Sequence, residues 1–399
     1  MRDGQDAGTV SVLSVFAAFL GLGLTSFGGP IAHLGYFRQA FVERRRWIEA
    51  PAFADLVALC QFLPGPASSQ VGIGIGLAKA GLPGAFAAWL GFTLPSALLL
   101  MAFGYGITTF HDVVPAGVMH GLKLAAVAVV AQAVVAMARA ACTDATRLVF
   151  AMLAAAVALA LPMPFTQLGI ILGGGVGGCI LLRTEGERSS TGMEIRVSAR
   201  LALPALILFF VLLAGLPLLE NIHPSQALAL FARFYRAGAL VFGGGHVVLP
   251  LLQAAVVPPG WVSNENFLAG YGAAQAVPGP LFTFAAYLGT VMGPPPHGWV
   301  GGLLCLAAIF APSFLLVIGV LPFWARLRHL AYARRALAGV NAAVVGLLAA
   351  ALYTPVSTSA IGSYLDLILA LAGFTLLMLL RISPVFIVAL CAVGGWLGA

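Results

Sequence analysis

Charge is what this chain has least of. Among its 399 residues only 8% are Asp, Glu, Lys or Arg, where a soluble domain carries roughly 25%. An ordinary soluble globular protein is therefore excluded. Cysteine is scarce too: Cys60, Cys142, Cys179, Cys305 and Cys391 lie far apart, most of them in apolar segments. No CxxC and no Cys/His spacing occurs, which excludes a disulfide framework and a zinc site and leaves small core residues. Enzyme signatures are missing as well, with no GxSxG, no HExxH and no phosphate-binding GxxxxGK(S/T). The run Gly173-Gly174-Gly175-Val176-Gly177-Gly178 sits inside an apolar segment, where glycines serve close helix packing rather than a nucleotide loop. The chain does not read as an enzyme, and nothing in it calls for a metal or a cofactor.

What is present is hydrocarbon. Hydrophobic residues make up 61% of the chain, in runs long enough to cross ~30 Å of lipid. The fold class is an all-α polytopic membrane protein, with the lipid bilayer as its first partner. The net charge of +7 is no nucleic-acid footprint, because the basic residues fall in short clusters between apolar runs, as cytoplasmic loops do. The apolar N-terminus differs from a signal peptide: Asp3 and Asp6 spoil its basic region, and the run leads into a Gly-Gly-Pro with an internal counterpart.

That counterpart belongs to a duplication of the whole frame. Ser26-Phe27-Gly28-Gly29-Pro30 matches Val241-Phe242-Gly243-Gly244-Gly245. Trp47, Phe53, Gln61 and Pro64-Gly65-Pro66 match Trp261, Phe267, Gln275 and Pro278-Gly279-Pro280 at one offset of 214 residues. Leu94-Pro95-Ser96 answers to Ala311-Pro312-Ser313, and Ala125-Ala126-Val127 to Ala342-Ala343-Val344. Arginines then set the orientation. Arg38, Arg44, Arg45 and Arg46 fill a loop whose counterpart, Pro258 to Asn266, has no basic residue. Arg326, Arg328, Arg334 and Arg335 fill a loop of the second half whose counterpart, Thr108 to Gly117, has none. Since basic loops stay cytoplasmic, the halves are expected to be inverted repeats, a known transporter architecture with its site near the midplane.

The expected path has a first repeat over 1–182, a charged cytoplasmic linker with one extra transmembrane helix over 183–222, and a second, inverted repeat over 223–399. In each repeat two broken segments dip in and return: 10–36 and 51–80, then 230–252 and 264–292. Full spans are expected near 83–106, 118–140, 147–162 and 165–182, at 201–219, and near 298–324, 335–353, 364–381 and 384–398. The N-terminus is then cytoplasmic and the C-terminus outside.

The breaks carry the chemistry. A Pro-Gly-Pro interrupts an apolar run, and the Pro after the Gly suits the start of a new helix. The free N–H groups at Ala67 and Ser68, or at Leu281, then sit at the positive end of a helix dipole, where anions bind readily. At bilayer depth such a start can only line a cavity.

The motifs Phe27-Gly28-Gly29-Pro30, Gln61-Phe62-Leu63-Pro64-Gly65-Pro66, Phe242-Gly243-Gly244-Gly245-His246 and Gln275-Ala276-Val277-Pro278-Gly279-Pro280, in duplicated order, resemble the chromate ion transporter family in its long, two-domain form. The resemblance covers nearly the whole chain. It implies export of chromate, with sulfate as a competing substrate, across a prokaryotic plasma membrane (the inner membrane in a Gram-negative cell), and chromate resistance as the outcome. Uptake of sulfate or another oxyanion on the same frame, coupled to protons, is the alternative. A homodimer is left open.

A tetrahedral dianion offers only acceptors, so its site needs donors from several directions. The main-chain groups after Pro64-Gly65-Pro66 and Pro278-Gly279-Pro280, at Ala67 and Leu281, are joined by the hydroxyls of Ser68, Ser69 and Thr283. Gly28, Gly29, Gly243, Gly244 and Gly245, with Pro30, let backbone approach a ligand, although kinks and helix packing would equally use them. Gln61 and Gln275 offer amide N–H groups either to the ion or to carbonyls freed at the break. His246 and His33 are ligand, proton-carrying or merely hydrogen-bonded residues. Asp55 and Glu265 are expected proton carriers. Arg233 and Arg236 either attract anions at a mouth or snorkel at a helix end. Lys123, Trp47 and Trp261 read as interface anchors.

Overall fold

The computed structural model describes residues 10–110, 115–161, 163, 165–183 and 199–398. Asp3, Asp6 and most of the charged linker lie outside the described residues. All regular structure among the described residues is helical, as the missing charge and the long apolar runs require. The first half comprises α1 (Val12–Thr25), α2 (Gly29–Phe37), α3 (Ala50–Phe62), α4 (Ala67–Thr109), α5 (Ala116–Ala141), α6 (Ala145–Ala160) and α7 (Thr166–Leu181). Helix α8 (Ala199–Ile222) connects the halves. The second half holds α9 (Gln226–Leu240), α10 (Val248–Val256), α11 (Asn264–Ala274), α12 (Phe284–Val291), α13 (Gly298–Val320), α14 (Trp324–Leu327), α15 (Ala331–Ala351), α16 (Thr358–Ala360), α17 (Tyr364–Leu379) and α18 (Pro384–Gly398).

Among the described residues five stretches are long and apolar enough to cross a membrane: Ala67–Thr109, Ala116–Ala141, Arg200–Ile222, Gly298–Leu327 and Ala331–Ala360. The connecting helix is barely covered by protein, with only 17% of its most apolar stretch buried, so its surface is left to lipid. Helices α6, α7 and α17 have 16 residues each and α18 has 15. At ~1.5 Å per residue they reach only ~24 Å, so these expected full spans are shorter than the hydrocarbon core.

Helix α4 is two helices. Ala80 and Gly81 leave helical geometry, with Gly81 at φ +65°, a value that suits glycine alone. The chain reverses there, and a Cβ on Gly76 would run into the carbonyl of Gly84. In the second half Pro294-Pro295-Pro296 makes the matching turn, and Gly289 packs on the carbonyl of Gly301. Two glycines per hairpin thus bring backbone onto backbone, the close packing that small residues permit in membranes.

The halves are not side by side but interleaved. Helix α5 of the first half packs on α17 and α18 of the second, while α15 of the second packs on α6 and α7 of the first. Glycines mark both seams. Gly121 lies on the carbonyl of Cys391 and Gly395 on that of Gly117. Gly339 lies on Gly174 and Gly178, and Gly346 on the carbonyl of Ala151. The glycine-rich run of α7 therefore does what close packing requires of it.

Candidate functional site

The four breaks are four points at which the chain folds back. Phe19 stacks on Phe41 with ring centroids 4.7 Å apart and meets Phe37 edge-on at 5.5 Å, although Phe37 lies eighteen positions away across Gly28-Gly29. A Cβ on Gly74 would stand 2.7 Å from Leu56 across Gly65. Arg233 donates to the carbonyl of Ala255 at 3.0 Å across the break at Gly243–Gly245. Gly270 packs against the ring of Tyr287 across Gly279. A straight helix would separate each of these pairs by roughly 25–33 Å. Positive φ at Gly28 (+99°), Gly65 (+123°), Gly243 (+78°), Gly244 (+142°) and Gly279 (+100°) makes the reversals possible, since side chains with a Cβ resist this region.

Across the halves the breaks meet reciprocally. The Gly65 N–H donates to the carbonyl of Val241 at 2.7 Å, and the Gly279 N–H to that of Ser26 at 2.9 Å. Ser26 and Val241 each stand immediately before their Phe-Gly-Gly. A Cβ on Gly65 would lie 3.0 Å from Ser313 Oγ, and one on Gly279 would lie 2.9 Å from Ser96 Oγ. Each Pro-Gly-Pro therefore rests on the Gly-rich break and the Pro-Ser of the opposite half.

The helix starts carry the free donors. Pro66 caps α4, which begins at Ala67, one residue later than a proline at the first helical position would place it. Gln70 N–H returns to the carbonyl of Pro66 at 2.9 Å, which leaves Ala67, Ser68 and Ser69 N–H without intrahelical partners. In the second half a 3₁₀ turn, Leu281–Thr283, precedes α12. Thr283 N–H and Thr283 Oγ1 both donate to the carbonyl of Pro280, at 3.0 and 2.7 Å. Thr283 thus turns its proton to its own chain rather than outward.

Both starts lie around α2. Ser68 Oγ is 3.3 Å from His33 Nδ1. One turn earlier in α2, Pro30 Cγ is 3.6 Å from where a Cβ on Gly245 would be, itself 3.9 Å from Leu281. Gly28 and Gly243 are exposed at the tips of their breaks, while Ser68, Ser69 and Gln70 are buried. Seven buried polar atoms on or against the breaks have no partner: Ser26 Oγ, Ser69 Oγ, Gln70 Oε1, Thr93 Oγ1, Gln275 Nε2, Ser313 Oγ and Asn341 Oδ1. Left unsatisfied each would cost ~1–3 kcal/mol, so water, an ion or a ligand is needed to complete them.

Other expected residues fall elsewhere. Gln61 is exposed, and the amide that satisfies the freed carbonyl of Pro64 is that of Gln70, at 2.7 Å. His246 Nδ1 lies 2.8 Å from the hydroxyl of Tyr271. Asp55, 3% exposed, accepts from Trp324 Nε1 at 2.9 Å and Arg328 at 3.1 Å. Lys123 is buried and 3.5 Å from Glu265, an ion pair rather than an interface anchor. Arg233 pairs with Glu220 at 3.2 Å and covers Trp261 at 4.2 Å. Trp47 stacks on Phe41 at 5.1 Å, beneath Arg45. Ser26, Gln70, Thr93, Ser96, Ser313 and Asn341 were not expected as site residues. The duplicated Pro-Ser in two apolar helices was the legible signal for Ser96 and Ser313; nothing in the sequence singles out Asn341.

Broken, reciprocally packed helices in an apolar frame define a multi-pass helical membrane protein of transporter type. The family model described as chromate transporter matches residues 13–179 and again 228–396, and the chain belongs to that family. It is similar to the chromate transport protein of Pseudomonas aeruginosa, 29% identical over 86% of this chain and 80% of that one. The chromate transport protein of Cupriavidus metallidurans is 26% identical over 98% of this chain and 94% of its own. A probable chromate transport protein of Synechococcus elongatus is 28% identical over 77% and 75%. No solved structure matches the chain.

Proposed function

We propose that this protein exports chromate from a prokaryotic cell, with sulfate competing for the same path, and so confers chromate resistance. The observation that carries the reading is the gathering of unpartnered buried polar atoms and free helix-start N–H groups around the reciprocal breaks. Main-chain N–H groups at Ala67, Ser68, Ser69, Leu281 and Phe282, with the hydroxyl of Ser69 and the amide of Gln275, supply donors to a tetrahedral dianion from two sides. Helix dipoles add positive potential without a fixed charge that would trap the ion.

The two halves act as inverted repeats, each dipping twice into the bilayer, with the N-terminus cytoplasmic and the C-terminus outside. The Arg-rich loops at Arg38–Arg46 and Arg326–Arg335 then share the cytoplasmic side. The breaks are hydrogen-bonded to each other across the halves, so passage of an anion requires them to part. That motion is a rocking of one repeat against the other about the site between them.

Energetics favour export. One charge crossing 100 mV is worth ~2.3 kcal/mol, so a dianion leaving an inside-negative cell gains roughly 4.6 kcal/mol. At ~1.4 kcal/mol per decade this sustains about a thousandfold gradient with no coupled ion. The test is chromate accumulation by cells with and without the protein, with and without excess sulfate. Lower accumulation on expression, relieved by sulfate, is expected. Higher accumulation on expression overturns export.

A further inference from the structure

A cleft separate from the breaks opens between α7, α9 and α10, bounded by Gln167, Leu168, Arg233, Arg236, Leu240 and Leu251. Its volume is about 40 Å³, where a single water needs ~10–15 Å³, so it has room for a small hydrated or polyatomic guest. Two arginines one turn apart line it, and they are not equivalent. Arg233 is neutralised by Glu220 at 3.2 Å, donates to the carbonyl of Ala255 and lies over Trp261. Arg236 is half-buried on a helix whose neighbouring residues Phe234, Tyr235, Ala237 and Gly238 are buried. Among the described residues no acid and no hydrogen-bond acceptor meets its guanidinium. With Glu220 paired to Arg233, two arginines and one acid leave one positive charge uncompensated beside the cleft. Glu220, the nearest acid, is already engaged. The cleft runs along α9 to Leu240, and the next residue, Val241, accepts the N–H of Gly65. Arg236 lies five residues from that break, ~7.5 Å along the helix.

We propose that this cleft is a second oxyanion site, in which Arg236 holds a tetrahedral dianion of the chromate and sulfate class beside the transport path. The inference rests on the transport reading for the identity of the anion, not for the binding. A planar guanidinium with its N–H fork free suits the paired oxygens of such an ion. A phospholipid phosphate shares this chemistry, so the measurement must separate the two sources.

Radiolabelled sulfate is titrated by equilibrium dialysis onto the purified full-length protein in a maltoside detergent, which carries no phosphate, and lipids that survive purification are counted by native mass spectrometry. Wild type is expected to bind one more sulfate than Arg236→Gln, or to bind it at least about tenfold more tightly, the loss set by one charge-assisted contact. Arg236→Lys, which keeps the charge but not the fork, is expected to retain the ion with an affinity between the two. Equal binding by wild type and a folded Arg236→Gln overturns the proposal. So does a phospholipid retained by wild type and lost from Arg236→Gln with sulfate binding unchanged. Loss of a sulfate in Arg236→Gln alongside normal transport by Gly65→Leu and Gly279→Leu would keep the cleft and defeat the transport reading instead.

Discussion

The two Pro-Gly-Pro breaks share a sequence pattern and reciprocal partners, yet they are built differently. In the first half α4 starts directly as an α-helix, leaving Ala67, Ser68 and Ser69 N–H free, and Gln70 reclaims the carbonyl of Pro64. In the second half a 3₁₀ turn intervenes and Thr283 folds its N–H and hydroxyl onto Pro280. The Gly-rich breaks differ in the same sense: Pro30 enters α2 at once, whereas Gly245 leads into a 3₁₀ turn before α10. A proline sets φ for the helix; a third glycine does not. The first half therefore has direct α-helical starts after its breaks, and the second half has 3₁₀ starts.

The ion pairs that tie the halves together differ likewise. Asp55 is sealed beneath Trp324 and Arg328, with side-chain exposures of 3% and 16% for the acid and the arginine. Lys123 and Glu265 join α5 to α11 at 3.5 Å, with Glu265 80% exposed. One is a dry latch and the other a wet contact, so the molecule is held more firmly on the Arg328 face than on the Glu265 face.

The largest effect should come from Gly65→Leu and Gly279→Leu, each lowering initial transport rates in vesicles on the order of a hundredfold while the protein still inserts. The milder pair sharpens the comparison. At Gly65 a new Cβ meets the flexible tip of Gln70 at 2.6 Å, whereas at Gly279 it meets Ser96 Oγ and the main-chain oxygen of Phe92 at 3.2 Å. Gly279→Ala should therefore be impaired more than Gly65→Ala, although both carry the strain of positive φ, ~1–2 kcal/mol.

Asp55→Ala should come next, costing about 3–5 kcal/mol because it breaks a largely buried ion pair and removes the acceptor of the Trp324 indole, read as a fall in the thermal unfolding midpoint in detergent. Its counterpart Glu265→Gln should cost less, because the replaced carboxylate is 80% exposed and the amide oxygen can still face the Lys123 ammonium. Equal losses would erase the distinction between latch and contact. The smallest stability effect should belong to Ser313→Ala. Its hydroxyl has no partner, so removing it should leave stability within ~0.5 kcal/mol or raise it. Transport should still fall severalfold if the hydroxyl serves the anion, and an unchanged rate would remove Ser313 from the site.

Much of this was legible in the residues alone. Scarce charge and long apolar runs demand buried, self-satisfied backbone, and in lipid that means helices. The duplicated Gly-Gly and Pro-Gly-Pro landmarks fall where the backbone turns to positive φ, at Gly28, Gly65, Gly243, Gly244 and Gly279, because glycine and proline act locally, whatever surrounds them. Only the folded chain decided that Gly65 leans on Val241 and Gly279 on Ser26. It also decided that α5 and α15 cross to opposite halves, that Lys123 is paired, and that Gln70 rather than Gln61 serves the freed carbonyl. Those choices join residues far apart in the chain through close packing, and an apolar helix full of glycine and alanine carries no local mark of which neighbour it will meet.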